Sequence, residues 1–357
     1  MDFEVNRTDL HQTCVIAPTE VELGEGEIRL RVDRFALTTN NITYAVFGEA
    51  MQYWNFFPAS SEGWGRVPVW GFADVVESRC ESVTVGARVY GYLPMSTDLV
   101  VVPGKMNDRG FIDTVEHRRP MATAYNNYVL VDADPIYTPD HEDHQMLLWP
   151  LFFTSFLIDD VIADAGFYGA TSVVLSSASS KTAIVAAYLL HRRGDIEVVG
   201  LTSADNLAFV EGLGCYSRVV TYDQIDSLPV ESAVFVDMAG NSVVRNAVHA
   251  HYGSSLRYSM MVGGTHWDQP AAPASADALV GPTPQFFFAP TQITKRNAEW
   301  GNALLDERVG NAWEHFVSWA SEWLQFHFAI GPVAVEAAYQ ELLAGGADPS
   351  VGYICSL

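Results

Sequence analysis

The stretch Thr171-Ser-Val-Val-Leu-Ser-Ser-Ala-Ser-Ser-Lys-Thr-Ala-Ile-Val-Ala-Ala-Tyr-Leu-Leu190 limits what this chain can fold into more than any other. Ser172 to Leu175 is a short β-branched and aliphatic run, suited to a buried parallel strand. Five small residues follow, Ser176 to Ser180. An Ala-rich run then places Ile184, Val185, Tyr188 and Leu189 at helical spacing, with Gly194 where a C-terminal cap belongs. Strand, small-residue turn and helix form the βα unit that sets a helix N-terminus beneath a phosphate. Such a turn usually reads G-x-G-x-x-G, because glycine lets the backbone approach a pyrophosphate. Here Ser177, Ala178, Ser179 and Ser180 take those places, and Lys181 and Thr182 open the helix. Serine and alanine are the next smallest residues, and the hydroxyls and the ammonium add donors. Read alone, the turn also fits an ordinary βα junction in which Ser179 or Ser180 is only an N-cap.

The surroundings extend the βα reading. After a helix over Met146 to Asp164, interrupted by Pro150, strands are expected at 172–175, 197–201, 218–220, 233–236 and 256–262. Helices at 182–191, 204–213 and 242–251 lie between them. This alternation predicts an α/β fold with a doubly wound parallel sheet, whose ligands bind at the carboxyl ends of the strands. Those ends are Ser176–Ser180, Thr202–Ser203, Asp237–Asn241 and Gly263–Trp267. Residues 1–147 read instead as mostly β. Glu27-Ile-Arg-Leu-Arg-Val-Asp33 alternates apolar and charged residues, and short strands follow near Val75, Arg88 and Tyr128. An aromatic stretch runs from Ala50 to Trp70, and Pro103 to Pro120 reads as a charged surface excursion. The expected domains are 1–147, 148–285, and a segment 286–357 that returns to the first.

With 357 residues, the chain is long enough for two substantial cores. The net charge of −23 repels nucleic acid and anionic membranes. Cys14, Cys80, Cys215 and Cys355 are scattered, which predicts reduced thiols and a cytoplasmic setting, not a disulfide framework. The start of the chain does not read as a signal peptide, and no apolar run in the sequence reads as a membrane span.

The order of these elements resembles the medium-chain dehydrogenase/reductases, in the zinc-free quinone oxidoreductase and enoyl reductase branch. Glu25-Gly-Glu-Ile-Arg-Leu-Arg-Val32 is similar to that family's opening strand. Pro68-Val-Trp-Gly-Phe-Ala-Asp-Val-Val76 and Val85-Gly-Ala-Arg-Val-Tyr-Gly91 are similar to its barrel signature, and Phe153-Thr-Ser-Phe156 to its Thr-containing helix start. Val262-Gly263-Gly264 and the close from Ala337 to Leu357 fit as well. The resemblance implies a Rossmann-type sheet, a GroES-like mostly-β domain completed by the C-terminal segment, a homodimer, and hydride transfer between NADP(H) and a small-molecule substrate in an interdomain cleft. Thr38 and Gly71-Phe72 stand where the zinc-binding branch keeps ligands, so no zinc is expected.

The resemblance places Thr154, Ser177–Thr182, Thr202, Ser203, Asp237, Ala239, Gly263 and Phe288 at the cofactor. The end of the second strand carries no acid before Asp205, and Thr202 and Ser203 can donate to a 2′-phosphate, which favours NADP over NAD. Asn40, Asn41 and Tyr44 lie in the loop where the family stabilises a developing oxyanion. Tyr44 is the first choice of donor; a ring packed at a domain boundary is the alternative. His266 is a second catalytic candidate, or a loop histidine. Tyr53, Trp54, Phe57 and Trp70 wall a substrate pocket, or fill a core. Lys295 clamps an anionic substrate group, or begins a solvated helix. His141, Glu142, Asp143 and His144 have metal-ligand types in what reads as a solvated loop. Two other activities stay open on this scaffold: a non-redox lyase or retro-aldol enzyme, and a binding protein without catalysis.

Overall fold

A computed structural model describes residues 1–17, 21–238, 240–262 and 279–357. The chain divides into two compact units, Met1–Trp149 with Leu324–Leu357, and Pro150–Trp323.

The first unit is built on a mostly antiparallel sheet. Its spatial order runs Gln325–Ile330, Val351–Ser356, Ile28–Leu37, Pro68–Ser78, Arg88–Pro94, Asn127–Leu130, Gly110–Asp113, Pro103–Asn107, and Asp98–Val101 pairs beside Ile28–Leu37. The strand Ile28–Leu37 buries Ile28, Leu30 and Phe35–Leu37, so the alternation in the sequence becomes one core face. A small sheet of Asp2–Asn6, Thr13–Ile16 and Trp64–Gly65 closes against Trp54. A Cβ on Gly48 or Gly65 would lie 2.0 or 2.4 Å from that indole, so both positions require glycine. Trp54 is therefore core. The stretch Pro103 to Pro120 is no excursion. Two of its segments extend the sheet, because Phe111 is fully buried and stacks on Tyr128 at 5.4 Å.

The second unit holds a parallel six-stranded sheet: β1 (Ser172–Leu175), β2 (Glu197–Thr202), β3 (Arg218–Thr221), β4 (Ala233–Asp237), β5 (Leu256–Met261) and β6 (Gln285–Phe286). The spatial order is β3-β2-β1-β4-β5-β6, every pair parallel. This is the doubly wound order: successive strands are added outward from β1 in one direction and from β4 in the other, and such sheets bind ligands at that switch between β1 and β4. Buried valine, leucine and phenylalanine on β1, β2 and β4 give these strands apolar contact on both faces.

Two boundaries differ from the sequence reading. The lead-in helix runs over Glu142–Asp164 without a break at Pro150. Its start is drawn back by Glu142 and Asp143, whose charge suits a helix N-terminus and which pair with Arg34. By length and composition this helix is apolar enough to cross a bilayer, yet most of that apolar window is buried, as in a core helix. The return to the first unit begins at Leu324, not 286. Residues before it stay with the parallel sheet: Gln285 and Phe286 pair with β5, and the unforeseen helix Ala289–Trp300 is tied down by Arg296 on Asp160 at 2.6 Å. Helix Asn302–Ala320 lays Phe316 and Trp319 on Tyr188, at 5.4 and 4.7 Å. The strand Gln325–Ile330 is a further element the sequence reading missed.

Candidate functional site

Two places gather the residues picked out from the sequence, one in each unit. In the second unit it is the turn after β1. Ser177 adopts a left-handed backbone, φ 50°, at a place where such turns use glycine. Ser180 caps the helix Lys181–Arg193 through its hydroxyl, which accepts from the Ala183 amide at 3.3 Å. The helix ends on Gly194 at φ 75°, the expected cap.

The turn is bound closely to its neighbours. The Ala178 amide donates to the Leu201 carbonyl at 2.9 Å, and Tyr216 donates its hydroxyl to the Ala178 carbonyl at 2.8 Å. The Ser177 amide donates to the Tyr222 hydroxyl at 3.2 Å, and Asn206 donates to the Ser179 hydroxyl at 3.0 Å. A Cβ on Gly200 would sit 2.9 Å from Tyr216 and 3.0 Å from the Ala178 methyl, so glycine in β2 is what lets the turn pack down. Tyr216 and Tyr222 were not foreseen; nothing in their spacing marks them.

At the reversal point Ser176 bridges β1 and β4. Its hydroxyl donates to Asp237 Oδ1 at 3.1 Å and accepts from the Met238 amide at 2.9 Å. Asp237 is fully buried, accepts from the Gly240 amide at 2.9 Å, and pairs with Arg245 at 3.0 Å. At the end of β2 the Thr202 hydroxyl is buried without a hydrogen-bond partner. Ser203 follows it, half-buried.

Other second-unit candidates stand apart from the turn. Thr154 donates its hydroxyl back to the Pro150 carbonyl at 3.0 Å, inside its own helix. Phe288 is exposed and precedes helix Ala289–Trp300. Lys295 is paired with Asp164, with Glu299 also near, so its ammonium already has carboxylate partners. His266, Ala239 and Gly263 lie outside the described residues.

In the first unit, a polar-tipped aromatic cluster surrounds Tyr44, on the short helix Thr39–Val46. Asn40 donates to the Tyr44 hydroxyl at 2.8 Å. Ring centroids lie 4.6 Å apart for Tyr44–Tyr53, 5.8 Å for Tyr44–Tyr92, 4.7 Å for Tyr92–Tyr125 and 5.0 Å for Trp70–Tyr92. Phe57 packs on Tyr92 at 6.0 Å. The cluster unites Tyr44, Tyr53, Phe57 and Trp70, and it excludes Trp54. Burial holds the Tyr44 and Tyr92 phenols well above their ordinary pKa, so both remain proton donors.

Asn41 has a different part. Its Oδ1 accepts from the Thr38 amide at 2.8 Å and the Thr38 hydroxyl at 2.9 Å, and its Nδ2 donates to the Pro68 carbonyl at 2.9 Å. The side chain is spent on fixing the helix that carries Tyr44. Behind the rings lies fully buried Arg118, which the sequence reading missed. It pairs with Asp113 at 3.0 Å, donates to Asn126 and the Tyr128 hydroxyl, and stands 4.8 Å from the Phe57 centroid. It also holds the Tyr125 carbonyl at 2.6 Å.

Among the described residues no group of three His, Cys, Asp or Glu side chains is placed to hold a metal ion. His144 lies edge-on to Phe326 at 4.8 Å, and burial lowers its pKa to about 4. Glu142 accepts from Arg34, Arg88 and Tyr137 instead of facing a metal.

Solved structures share this architecture over nearly the whole chain. CurA from Vibrio vulnificus, in complex with NADPH, matches with TM-score 0.58 at 11% identity, covering 95% of this chain and 93% of that one. The yhdH oxidoreductase from Salmonella enterica, in complex with NADP, matches with TM-score 0.54 at 14% identity, covering 97% and 96%. A mutant enoyl thioester reductase from Candida tropicalis matches with TM-score 0.54 at 11% identity, covering 100% of both chains. At these identities the likeness speaks to fold: a Rossmann-type parallel sheet in one unit and a GroES-like, mostly-β fold in the other, as in the medium-chain reductases. No curated protein matches the chain in sequence. The family model described as "Protein of unknown function (DUF2855)" matches residues 35–348, and the chain belongs to that family.

Proposed function

We propose that the protein is an NADP(H)-dependent, zinc-independent oxidoreductase that reduces an activated alkene, quinone or conjugated carbonyl. The observation that carries this reading is the 3-2-1-4-5-6 sheet with a small-residue turn and a capped helix N-terminus at its reversal point. The residues fit a dinucleotide. Serines and alanine keep the turn small, and the second strand ends without an acid. The buried Thr202 hydroxyl has no partner of its own, so a donor is available where the adenosine ribose and its 2′-phosphate would lie. Ser177 to Thr182 would hold the pyrophosphate, and Thr202 and Ser203 the 2′-phosphate. When bound, the nicotinamide supplies the hydride. The chain's own share is to bind, orient and protonate: Tyr44, held by Asn40, offers a phenolic proton to the developing oxyanion.

The test is a calorimetric titration of the full chain with NADPH and NADH. NADPH is expected to bind at least about tenfold tighter than NADH, and Lys181→Glu to weaken NADPH by about tenfold or more, a phosphate-contact effect. Absence of NADPH binding at millimolar concentration overturns the reading. Substrate turnover with no change in nicotinamide absorbance would instead support the lyase alternative. That alternative draws on the turn itself, whose Ser177 and Ala178 amides are already taken by Tyr222 and Leu201.

A further inference from the structure

The aromatic cluster of the first unit holds two buried donors that the chain itself does not satisfy with well-formed hydrogen bonds. The Tyr92 side chain is fully buried, and its hydroxyl has no hydrogen-bond partner. The Trp70 indole N–H is likewise buried and unpartnered. The Tyr44 hydroxyl lies beside it as an acceptor, outside good hydrogen-bond geometry and already receiving a bond from Asn40. The two rings are 5.0 Å apart, so both donors belong to one small region. A buried donor left unmade is costly, and proteins seldom keep two together without something to receive them. Tyr128, by contrast, has its hydroxyl fully engaged, donating to the Tyr92 carbonyl at 2.7 Å and accepting from Arg118 at 2.9 Å. The unmade bonds are therefore confined to the side of the cluster that carries Tyr44.

The charge of the region restricts what those donors can receive. The cation packed on these rings is Arg118, and its guanidinium is already taken by Asp113, Asn126, the Tyr125 carbonyl and the Tyr128 hydroxyl. It lies over the rings of Phe56 and Phe57 and holds the Tyr125 carbonyl; its charge reaches the Tyr92 phenol but is already paired with Asp113. A carboxylate or phosphate placed among Tyr44, Tyr92 and Trp70 would be desolvated with only this already paired cation near it. The surroundings are otherwise ring faces and edges, packed on one another at centroid separations of 4.6, 5.0 and 4.7 Å, a setting that favours an aromatic partner over a charged one.

We propose that Tyr92 and Trp70 are the specificity-determining donor pair of the substrate site, and that they select an uncharged, flat molecule by binding its carbonyl oxygen. Anionic ligands, including acyl thioesters of a phosphate-bearing carrier entering headgroup first, are excluded from this cluster. The inference rests on the oxidoreductase reading for its place in a reaction, but it can be tested without turnover.

The probes are chromone, a neutral flat carbonyl compound, and chromone-2-carboxylate, its anionic counterpart. Each is titrated calorimetrically into the full chain without nucleotide, with NADPH titrated in parallel. Chromone is expected to bind, chromone-2-carboxylate to bind at least about tenfold weaker, and Tyr92→Phe to weaken chromone about five- to tenfold. Tyr92→Phe deletes only a hydroxyl that has no partner in the chain, so the variant is expected to keep or raise its melting temperature. Loss of affinity therefore reports the contact and not misfolding. Trp70→Phe gives the second reading of the same bond. The proposal is overturned if Tyr92→Phe and Trp70→Phe both bind chromone as well as the parent does, or if the carboxylate binds as tightly as the neutral compound. A chain that binds NADPH but not chromone overturns this inference and leaves the oxidoreductase reading intact. A chain that binds chromone but not NADPH does the reverse.

Discussion

The turn after β1 and the aromatic cluster around Tyr44 spend their polar groups in opposite ways. At the turn, the described hydroxyls of Ser176, Ser179 and Ser180 and the amides of Ser177 and Ala178 all meet partners supplied by the chain. In the cluster, Asn40 meets Tyr44, but Tyr92 has no partner and Trp70 has only the Tyr44 hydroxyl beside it, outside good hydrogen-bond geometry. A turn without glycines cannot rely on bare backbone flexibility, so it is braced from outside by Tyr216, Tyr222 and Asn206. The cluster is braced too, but from behind, by Arg118, which leaves its inner face unsatisfied. Bracing in the first case makes a shape; in the second it keeps a set of donors in place for a ligand.

The largest expected effect separates the two braces. Arg118→Met leaves Asp113 buried with only the Val102 and Val115 amides for company. Removing one partner of a buried pair should cost roughly 3–5 kcal/mol. Arg245→Met leaves Asp237 with the Ser176 hydroxyl and the Gly240 amide, and Arg245 is itself partly exposed, so about 1–3 kcal/mol is expected there. Urea denaturation followed by circular dichroism checks both. Equal losses would show that the two buried carboxylates are held alike and would remove the contrast.

Acid should act next, and on the first unit. His144 is buried against Phe326 and near His141, and its pKa is lowered to about 4 by burial first and by His141 second. An unfolded histidine titrates near 6.5, so as pH falls the unfolded chain takes up this proton first. The stabilising contribution is complete above about 6.5 and is lost as pH falls toward 4, by roughly 2–3 kcal/mol in all. His144→Gln should flatten stability between pH 7 and 5, read as melting temperature against pH. An unchanged slope would place the acid sensitivity elsewhere.

Five strands of the parallel sheet were legible because each is a short apolar run closed by small polar residues, and the helix caps stand in plain sequence; the exposed edge strand Gln285–Phe286 carries no such signal. The βα alternation pointed to a doubly wound sheet, and the strand pairing supplies its order. What stayed hidden depended on contacts far apart in the chain. Trp54 reads like its neighbours Tyr53 and Phe57, yet Gly48 and Gly65 open a core slot for it and not for them. Lys295 looks like a substrate clamp until Asp164, far back in the chain, is seen to take it. Asn41 has the right type and loop for catalysis, but Thr38 and the Pro68 carbonyl use all of its amide. Tyr92 sits inside a strand and carries no motif, and only the missing acceptor marks it.

The smallest effect tests how far the braced turn still behaves as a glycine turn. Ser177 is held at φ 50°, where a side chain costs about 1–2 kcal/mol relative to ordinary backbone regions. Ser177→Gly removes that strain but gives the unfolded chain more freedom, worth roughly 0.5–1 kcal/mol in the other direction. The net should be a gain of at most about 1 kcal/mol, or up to about 4 °C in melting temperature for a unit of this size. The amide that the substitution leaves in place still donates to Tyr222, so NADPH affinity should change less than about twofold. A clear loss of stability would mean that the serine hydroxyl is itself a brace. A large gain in NADPH affinity would mean that the serine side chain, and not the backbone path, is what keeps the turn from closing on a phosphate.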